Sequence, residues 1–339
     1  MTLLPSPEPS DELERFERLR AHQEHIAEDV DASLAPATRR AYRSALNSLR
    51  AWAETEGLDW LAPGTLAAYL GALRRRTDPN TRRTVGVSQS SISLVLAAVS
   101  TYAREQRITP SPTDDPTVRL AAAGVRRKLA GRQVQKAHPL RTEELRQILG
   151  AIEDTPRGHR DAALIVLLFA GALRRSEAAG LRYGQITTYP GRGLILHLPT
   201  SKGDPFGRGQ DVPVVSGQMT DPVAILERWL ADRTTASGAL MPDTPVFVRF
   251  YKGSDRQGDT PLSGESVNQI FHNRCDAAGL TAPRLSSHSG RRGHLTVAAE
   301  AGASLEELMA QGRHTNPSTT LGYVSGRALD RSTGNVLGL

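Results

Sequence analysis

Three short segments of the chain carry arginine and histidine at places where a phosphate could be held. In Gly171-Ala-Leu-Arg174-Arg-Ser-Glu177, an apolar stretch ends in small residues and Arg174 stands where a new helix would begin. Helix starts present unpaired N–H groups and a partial positive charge, so an arginine beside one can grip a phosphate. The same arginine could simply solvate the junction, and Glu177 could hold it or cap the backbone. In Ser287-His288-Ser-Gly-Arg291-Arg-Gly-His294, His288 and Arg291 lie three apart in a first helical turn and project from one face. Both could contact one phosphate, although the spacing alone is common in helices with no such role. His294 is six residues from His288, which is not a helical metal-ligand spacing. In Gly312-Arg-His314-Thr-Asn-Pro-Ser-Thr-Thr-Leu-Gly-Tyr323, His314 sits in a turn and Tyr323 near the end of a polar helix. That is an odd place for a packing tyrosine. Tyr42, Tyr69 and Tyr102 fall on apolar helical faces, and Tyr183, Tyr189 and Tyr251 near strands or turns without basic neighbours.

Other chemistries find little support. There is no phosphate-binding glycine loop of the P-loop type, no HExxH, no paired-cysteine motif and no GxSxG. The single Cys275 leaves no intramolecular disulfide and no cysteine metal cluster, which suits a reducing compartment. The N-terminus lacks the basic start and apolar stretch of a signal peptide, and the longest apolar run, 162–173, is too short to span a bilayer. A cytoplasmic, nucleoid-associated protein with no membrane contact is expected.

Charge points to nucleic acid. Residues 1–30 hold eight acidic and three basic side chains, so the net charge of +6 understates the rest of the chain. Between Arg74 and Arg141 there are 14 basic residues against 4 acidic ones. Such a stretch binds a phosphate backbone by releasing condensed counterions. Lysine is scarce (Lys128, Lys136, Lys202, Lys252), so codon bias accounts for the choice of arginine but not for its clustering.

The elements that must position these residues are mostly helical. With 39% apolar residues and only 5% aromatics, the 339-residue chain must pack aliphatic side chains, and its length suits two domains. Tyr42, Ala45, Leu46, Leu49 and Trp52 predict a helix from Thr38 to Gly57; further helices are expected after Pro63-Gly64, from Ser88, and over 116–123. Gly131 to Pro139 reads as a linker. Beyond Thr142, a helix with Leu145 and Ile148 and an apolar helix over 162–172 precede strands at 194–198 and 212–215, joined by the loop TSKGDPFGRGQ. Helices resume at Asp221-Pro222, Ser263, Ser286, Ser304 (a capping box with Glu307) and Asn316-Pro317. The fold expected is mainly α with a small antiparallel β-sheet: a helical bundle, then an α+β domain.

Taken in order, GALRRSEAAGL, the lysine of the hairpin loop, HSGRR and GRHTNPSTTLGY resemble the catalytic pattern of the tyrosine recombinase (phage integrase) family, including the nine residues from His314 to Tyr323. The resemblance spans about residues 31 to 330. It implies a helical core-binding (DNA-binding) domain over 31–125 and a catalytic domain over 141–339, which composition and charge flank with a flexible acidic tail over 1–30 and join by a basic linker over 126–140. It also implies that Tyr323 attacks a DNA phosphate to give a 3′-phosphotyrosine, while Arg174 and Arg291 grip its free oxygens. By the same resemblance Lys202 protonates the leaving 5′-oxygen, His288 assists proton transfer, His314 hydrogen-bonds the phosphate and Glu177 supports the site. No metal, ATP or other cofactor is implied.

The expected partner is double-stranded DNA with paired half-sites, bound by a homo-oligomer in a tetrameric synapse. Candidate DNA contacts are Arg39, Arg43, Arg82, Arg83, Arg126, Arg127, Lys128 and Arg132. The apolar end, Val336-Leu337-Gly338-Leu339, is expected to pack on a neighbouring protomer. The family pattern is broken at Gly290, where leucine is common, at Arg292, where a second histidine is common, and at Arg313, where glycine usually precedes the histidine. Two other readings are a DNA-binding regulator that no longer cuts and a relaxing enzyme of the type IB topoisomerase kind.

Overall fold

A computed structural model describes residues 34–75, 87–130, 137–199, 209–217 and 220–324. The chain divides into two units, residues 1–134 and 135–339. The expected acidic tail, Lys202, Arg82, Arg83, Arg132 and the apolar C-terminal end lie outside the described residues.

The first unit is helical: α1 (Pro36–Thr55), α2 (Pro63–Arg75), α3 (Gln89–Glu105) and α4 (Pro116–Leu129). Proline fits the first turn, where its missing N–H costs nothing, and so α1 starts at Pro36, two residues ahead of the Thr38 expected from periodicity. Gly57 at φ 66° lets the chain reverse, and the Leu58 amide returns to the Ala53 carbonyl at 2.9 Å. Ser88 caps α3 and Asp115 caps α4, each accepting a backbone N–H with its side-chain oxygen. Leu49, Leu66, Leu70, Ile92, Val99 and Val118 meet in the core. Tyr69 packs beside Trp52, and Tyr102 beside Trp60 with the Arg50 guanidinium over both rings.

The end of α4 also differs from the sequence reading. Val125 and Leu129 extend the buried face of α4, so the helix runs on to Leu129 instead of ending near Ala123. Arg126, Arg127 and Lys128, expected in a linker from 126, therefore lie on the last helical turn. At the other end of that linker Leu140 is fully buried in the second unit, with its amide on the Ser289 carbonyl at 3.0 Å. Pro139 and Leu140 thus belong to the second unit's packing.

That unit begins with α5 (Thr142–Gly150) and α6 (Pro156–Ala170), the latter capped by Thr155 and buried along its length from Ala163 to Leu168. The short α7 (Arg175–Gly180) leads to an antiparallel sheet of β1 (Ile186–Tyr189), β2 (Gly193–Leu198) and β3 (Gln210–Val215), in that order. Leu194, Leu196, Leu198, Val212 and Val214 form its inner face. Then come α8 (Pro222–Ser237), the hairpin β4 (Val248–Phe250) and β5 (Gln257–Pro261), α9 (Gly264–Ala277), α10 (Ser287–Glu300), α11 (Leu305–Gly312) and α12 (Pro317–Val324). Strands β1, β4 and β5 went unforeseen. β1 exposes three of its four residues and β5 is polar, so neither shows the apolar alternation that marks a half-buried strand.

Helix α10 is held in place by small residues. Leu140 crosses it at Gly293, where a Cβ would lie 2.0 Å from the Leu140 carbonyl oxygen, with no flexible atom to give way. Gly293→Ala should therefore lower unfolding free energy by about 3 kcal/mol. Urea denaturation checks this; a midpoint unchanged from wild type would refute the close crossing.

Candidate active site

Four segments of the second unit converge: the junction between α6 and α7, the start of α10, the turn between α11 and α12, and the end of α12. At the junction, Gly171 closes α6 and Ala172 takes a left-handed conformation (φ 44°), which aims the Ala172 carbonyl inward. Arg174 follows at the N-cap of α7. Glu177 does both things considered for it from the sequence. Its carboxylate accepts the Arg174 backbone N–H at 2.7 Å and the Arg174 guanidinium at 2.5 Å.

The start of α10 is set by Asn268 of α9, whose Oδ1 accepts both the backbone N–H and the hydroxyl of Ser287. Gly290 explains its own departure from the family pattern. A Cβ there would sit 3.1 Å from the Leu168 backbone, so α10 approaches α6 more closely than a leucine would permit. Arg291, only 1% exposed, donates from Nη1 to the Ala172 carbonyl at 2.8 Å and from Nη2 to the Gly312 carbonyl. Nη2 also lies 2.8 Å from His314 Nε2.

This last contact assigns the His314 tautomer. A guanidinium only donates, so Nε2 is the acceptor and the ring proton sits on Nδ1, which donates to Thr320 Oγ1 at 2.8 Å. Burial pushes His314 down to about 4, and the Arg291, Arg174 and Arg313 charges and His288 push the same way. His288 keeps an exposed face at the site's edge. The protein around it, and then the charges of Arg291, Arg292, Arg174 and Arg175, hold its imidazole below the ordinary value. Both imidazoles are thus uncharged at neutral pH.

Tyr323 closes the cluster. Its ring stacks on His314 with centroids 5.7 Å apart and planes 10° from parallel, and the Arg292 guanidinium lies 5.6 Å from the ring centre. Tyr323 also packs against the small apolar cluster of Leu295, Ala299 and Leu308. Once ionised, the Tyr323 phenol is close enough to Arg291 for the two charges to interact.

Two residues of the cluster were missed. Arg313, noted only as a departure from glycine, turns inward and donates to Glu177 Oε2 at 2.8 Å. Thr320 is fully buried against His314. No spacing in the sequence announces either contact. The result is three guanidiniums (Arg174, Arg291 and Arg313) around one carboxylate. Burial pushes the Glu177 carboxyl up, but the Arg313 charge and the Arg174 hydrogen bonds outweigh it and hold it below its ordinary value. Burial first, then Arg174 and Arg313, pushes Arg291 down to about 10, where it still carries its charge at neutral pH. Such a cluster suits a dianion or a phosphodiester passing through a more highly charged state.

In the first unit, Arg43 is exposed on α1, and Arg39 on the same helix is half-buried. Arg127 and Lys128 are exposed at the end of α4, whereas Arg126 donates to Ser93 Oγ at 3.1 Å. Among the described residues there is no cluster of three or more His, Cys, Asp or Glu that could hold a metal ion, and no helix long and apolar enough to cross a membrane.

The buried histidines couple stability to pH. His294, packed edge-on to Phe169, is pushed down to about 4 by burial first and by Arg313 and Arg291, against a hydrogen bond to the Phe169 carbonyl. In the unfolded chain it titrates near 6.5, so between pH 6.5 and about 4 only the unfolded chain gains its proton. Stability is unaffected by this group above pH 6.5 and falls as the pH drops through that window. Melting temperatures from pH 7.5 to 4 should fall less steeply for His294→Gln than for wild type; equal slopes would count against a neutral buried imidazole.

Comparison with known proteins identifies the family. Residues 138–328 match the model of the phage integrase family. The chain is 28% identical over 302 residues to the integrase/recombinase XerD homolog of Selenomonas ruminantium, covering 87% of this chain and 83% of that protein. It is 24% identical over 311 residues to the recombinase Cre of Escherichia phage P1, covering 87% and 85%. The fold is shared with the Tn1549 transposon integrase solved in complex with transposon right end DNA (TM-score 0.60, 15% identity, 92% of this chain and 97% of that one). It is shared too with a lambda integrase dimer bound to a COC′ core site (TM-score 0.54, 17% identity, 93% and 95%). The chain belongs to the phage integrase family, the tyrosine recombinases, which are enzymes that cleave and rejoin DNA.

Proposed function

We propose that this recombinase acts site-specifically on duplex DNA with paired half-sites, cutting through a 3′-phosphotyrosyl intermediate on Tyr323 without metal or ATP. The observation that carries this reading is the placing of the Tyr323 ring against His314, beside an Arg174, Arg291 and Arg313 cluster that has one carboxylate for three cations.

The Tyr323 oxygen attacks the phosphorus, and the bond to the 5′-oxygen breaks. The phenol proton passes to His288, which is uncharged at neutral pH and so able to accept it. Lys202 returns a proton to the 5′-oxygen, so one phosphodiester is exchanged for another and the reverse step needs no ATP. Arg174 and Arg291 hold the free oxygens, with fixed forks that match two acceptors and a charge that does not titrate away. Their charge does what magnesium does at other phosphoryl-transfer sites.

His314 needs a donor on Nε2 to reach the phosphate, and its present tautomer offers an acceptor. Thr320 supplies the remedy, since a hydroxyl donates as readily as it accepts. Once a phosphate oxygen takes the Arg291 hydrogen bond, Thr320 can donate to Nδ1 and the ring proton can sit on Nε2. For binding, Arg43, Arg127 and Lys128 present charge on exposed helical faces, and Arg39 and Arg126 lie beside them on the same helices. Arg82, Arg83 and Arg132 are proposed as backbone contacts from their sequence position alone. Four protomers would join two duplexes, by analogy with the family.

The test uses a duplex selected by this protein from a random-sequence pool and nicked beside the cleavage point, so that the short 5′-hydroxyl fragment diffuses away. A covalent adduct should accumulate in EDTA without nucleotide, and Tyr323→Phe should abolish it. Arg174→Ala and Arg291→Ala should slow it by about 10²- to 10³-fold. Tight binding without any adduct would support the regulator instead, and relaxation of any supercoiled plasmid without strand exchange would support the relaxing enzyme.

A further inference from the structure

Resting on that reaction, we propose that Arg313 is a positioning residue of the active site: a buried fork that ties the turn before His314 to the backbone and carboxylate carrying Arg174 and Arg291. Its backbone argues that the side chain is there for a purpose. Arg313 caps α11 at φ 51° and ψ 52°, a left-handed conformation that glycine adopts freely and other L-residues adopt under strain. Its side chain makes four contacts from a position only 4% exposed. Nη1 donates to the Gly171 carbonyl at 3.2 Å and the Gln311 carbonyl at 2.9 Å. Nη2 donates to the Ala172 carbonyl at 2.7 Å and to Glu177 Oε2 at 2.8 Å.

Each of these acceptors, apart from Gly171 and Gln311, is shared with a group that grips the phosphate. The Ala172 carbonyl also accepts Arg291 Nη1, and Glu177 also accepts Arg174 twice. The Arg313 carbonyl in turn accepts Arg174 Nη2 at 3.2 Å, and the next residue along the chain is His314. One planar guanidinium therefore references Arg174, Arg291 and His314 to a common frame. Ala172 is itself left-handed, so both turns that meet here hold non-glycine residues at positive φ, and the Arg313 fork joins them.

The arrangement is costly for the empty protein. Arg313 is a third buried cation beside Arg174 and Arg291, and Glu177 can neutralise only one. A merely structural tie between the two turns would be made with less repulsion by a neutral side chain. A guanidinium keeps the frame and leaves net positive charge where the phosphate binds.

The experiment compares wild type, Arg313→Gly and Arg313→Lys on the nicked duplex described above, measuring binding affinity and the single-turnover cleavage rate at saturating protein. Glycine relieves the backbone strain and so keeps the turn, while lysine keeps the charge without the planar fork. Both variants are expected to cleave 10- to 100-fold more slowly, with binding affinity within threefold of wild type and cooperative melting retained. Wild-type cleavage by either variant would overturn the inference, since the lysine variant would then show that the fork does not matter to the step and the glycine variant that neither fork nor charge does. A parallel loss of binding and cleavage would also overturn it, as a prop for the fold. Absence of an adduct with the wild-type chain would instead remove the reaction reading, and this inference with it.

Discussion

A single buried carboxylate holds the active site together. Glu177, whose side chain is 5% exposed, is bonded to the backbone and guanidinium of Arg174 and to the guanidinium of Arg313. Without it, three guanidiniums would share a poorly solvated space with no counter-charge, and repulsion would drive them apart. Removing one partner of such a cluster leaves an uncompensated buried charge, typically a cost of about 3–5 kcal/mol. With Glu177 in place the cluster is stable yet still over-positive. The same carboxylate caps α7, so the junction that presents Arg174 is also the junction that fixes its charge balance.

Apart from the Arg291–His314 contact, the remaining hydrogen bonds of the Arg291 and Arg313 guanidiniums go to backbone carbonyls at chain turns. Arg291 and Arg313 are anchored on Ala172, Gly312, Gly171 and Gln311. Backbone acceptors at the ends of packed helices move far less than side-chain carboxylates. The apolar α6 and the glycines of α10 matter for this reason. Leu168 against Gly290 and Leu140 against Gly293 fix how closely α10 approaches, and hence where Arg291 reaches. Core packing and site geometry are one problem here.

Much of this was legible in the chain itself. Arg174 beside a helix start, His288 and Arg291 on one face, and His314 before a proline-initiated helix all have local signals: caps, prolines and three- or four-residue spacing. Those signals report on a single element, so they picked out segments that the fold brings together. They could not report how α11 and α6 meet, and so Arg313 read as a departure when it is a contact to Glu177 and Ala172. Thr320 was hidden because its partner, His314, lies six residues back across the turn into α12, a separation that helical periodicity does not mark. Strands β1, β4 and β5 were missed because they are short and half-polar, and the end of α4 was misjudged because its basic residues masked the continuing Val125–Leu129 face.

The carbonyl-anchored guanidiniums have a consequence for the direction of the reaction. In the proposed reaction, the DNA diester and the tyrosyl diester would carry the same charge and the same free oxygens. A donor set bolted to the backbone cannot follow one in preference to the other, so it stabilises the two diesters alike. Such a site is a poor source of bias. In that proposal, whatever makes strand exchange run to completion would act above the level of the active site, in how protomers and duplexes are assembled.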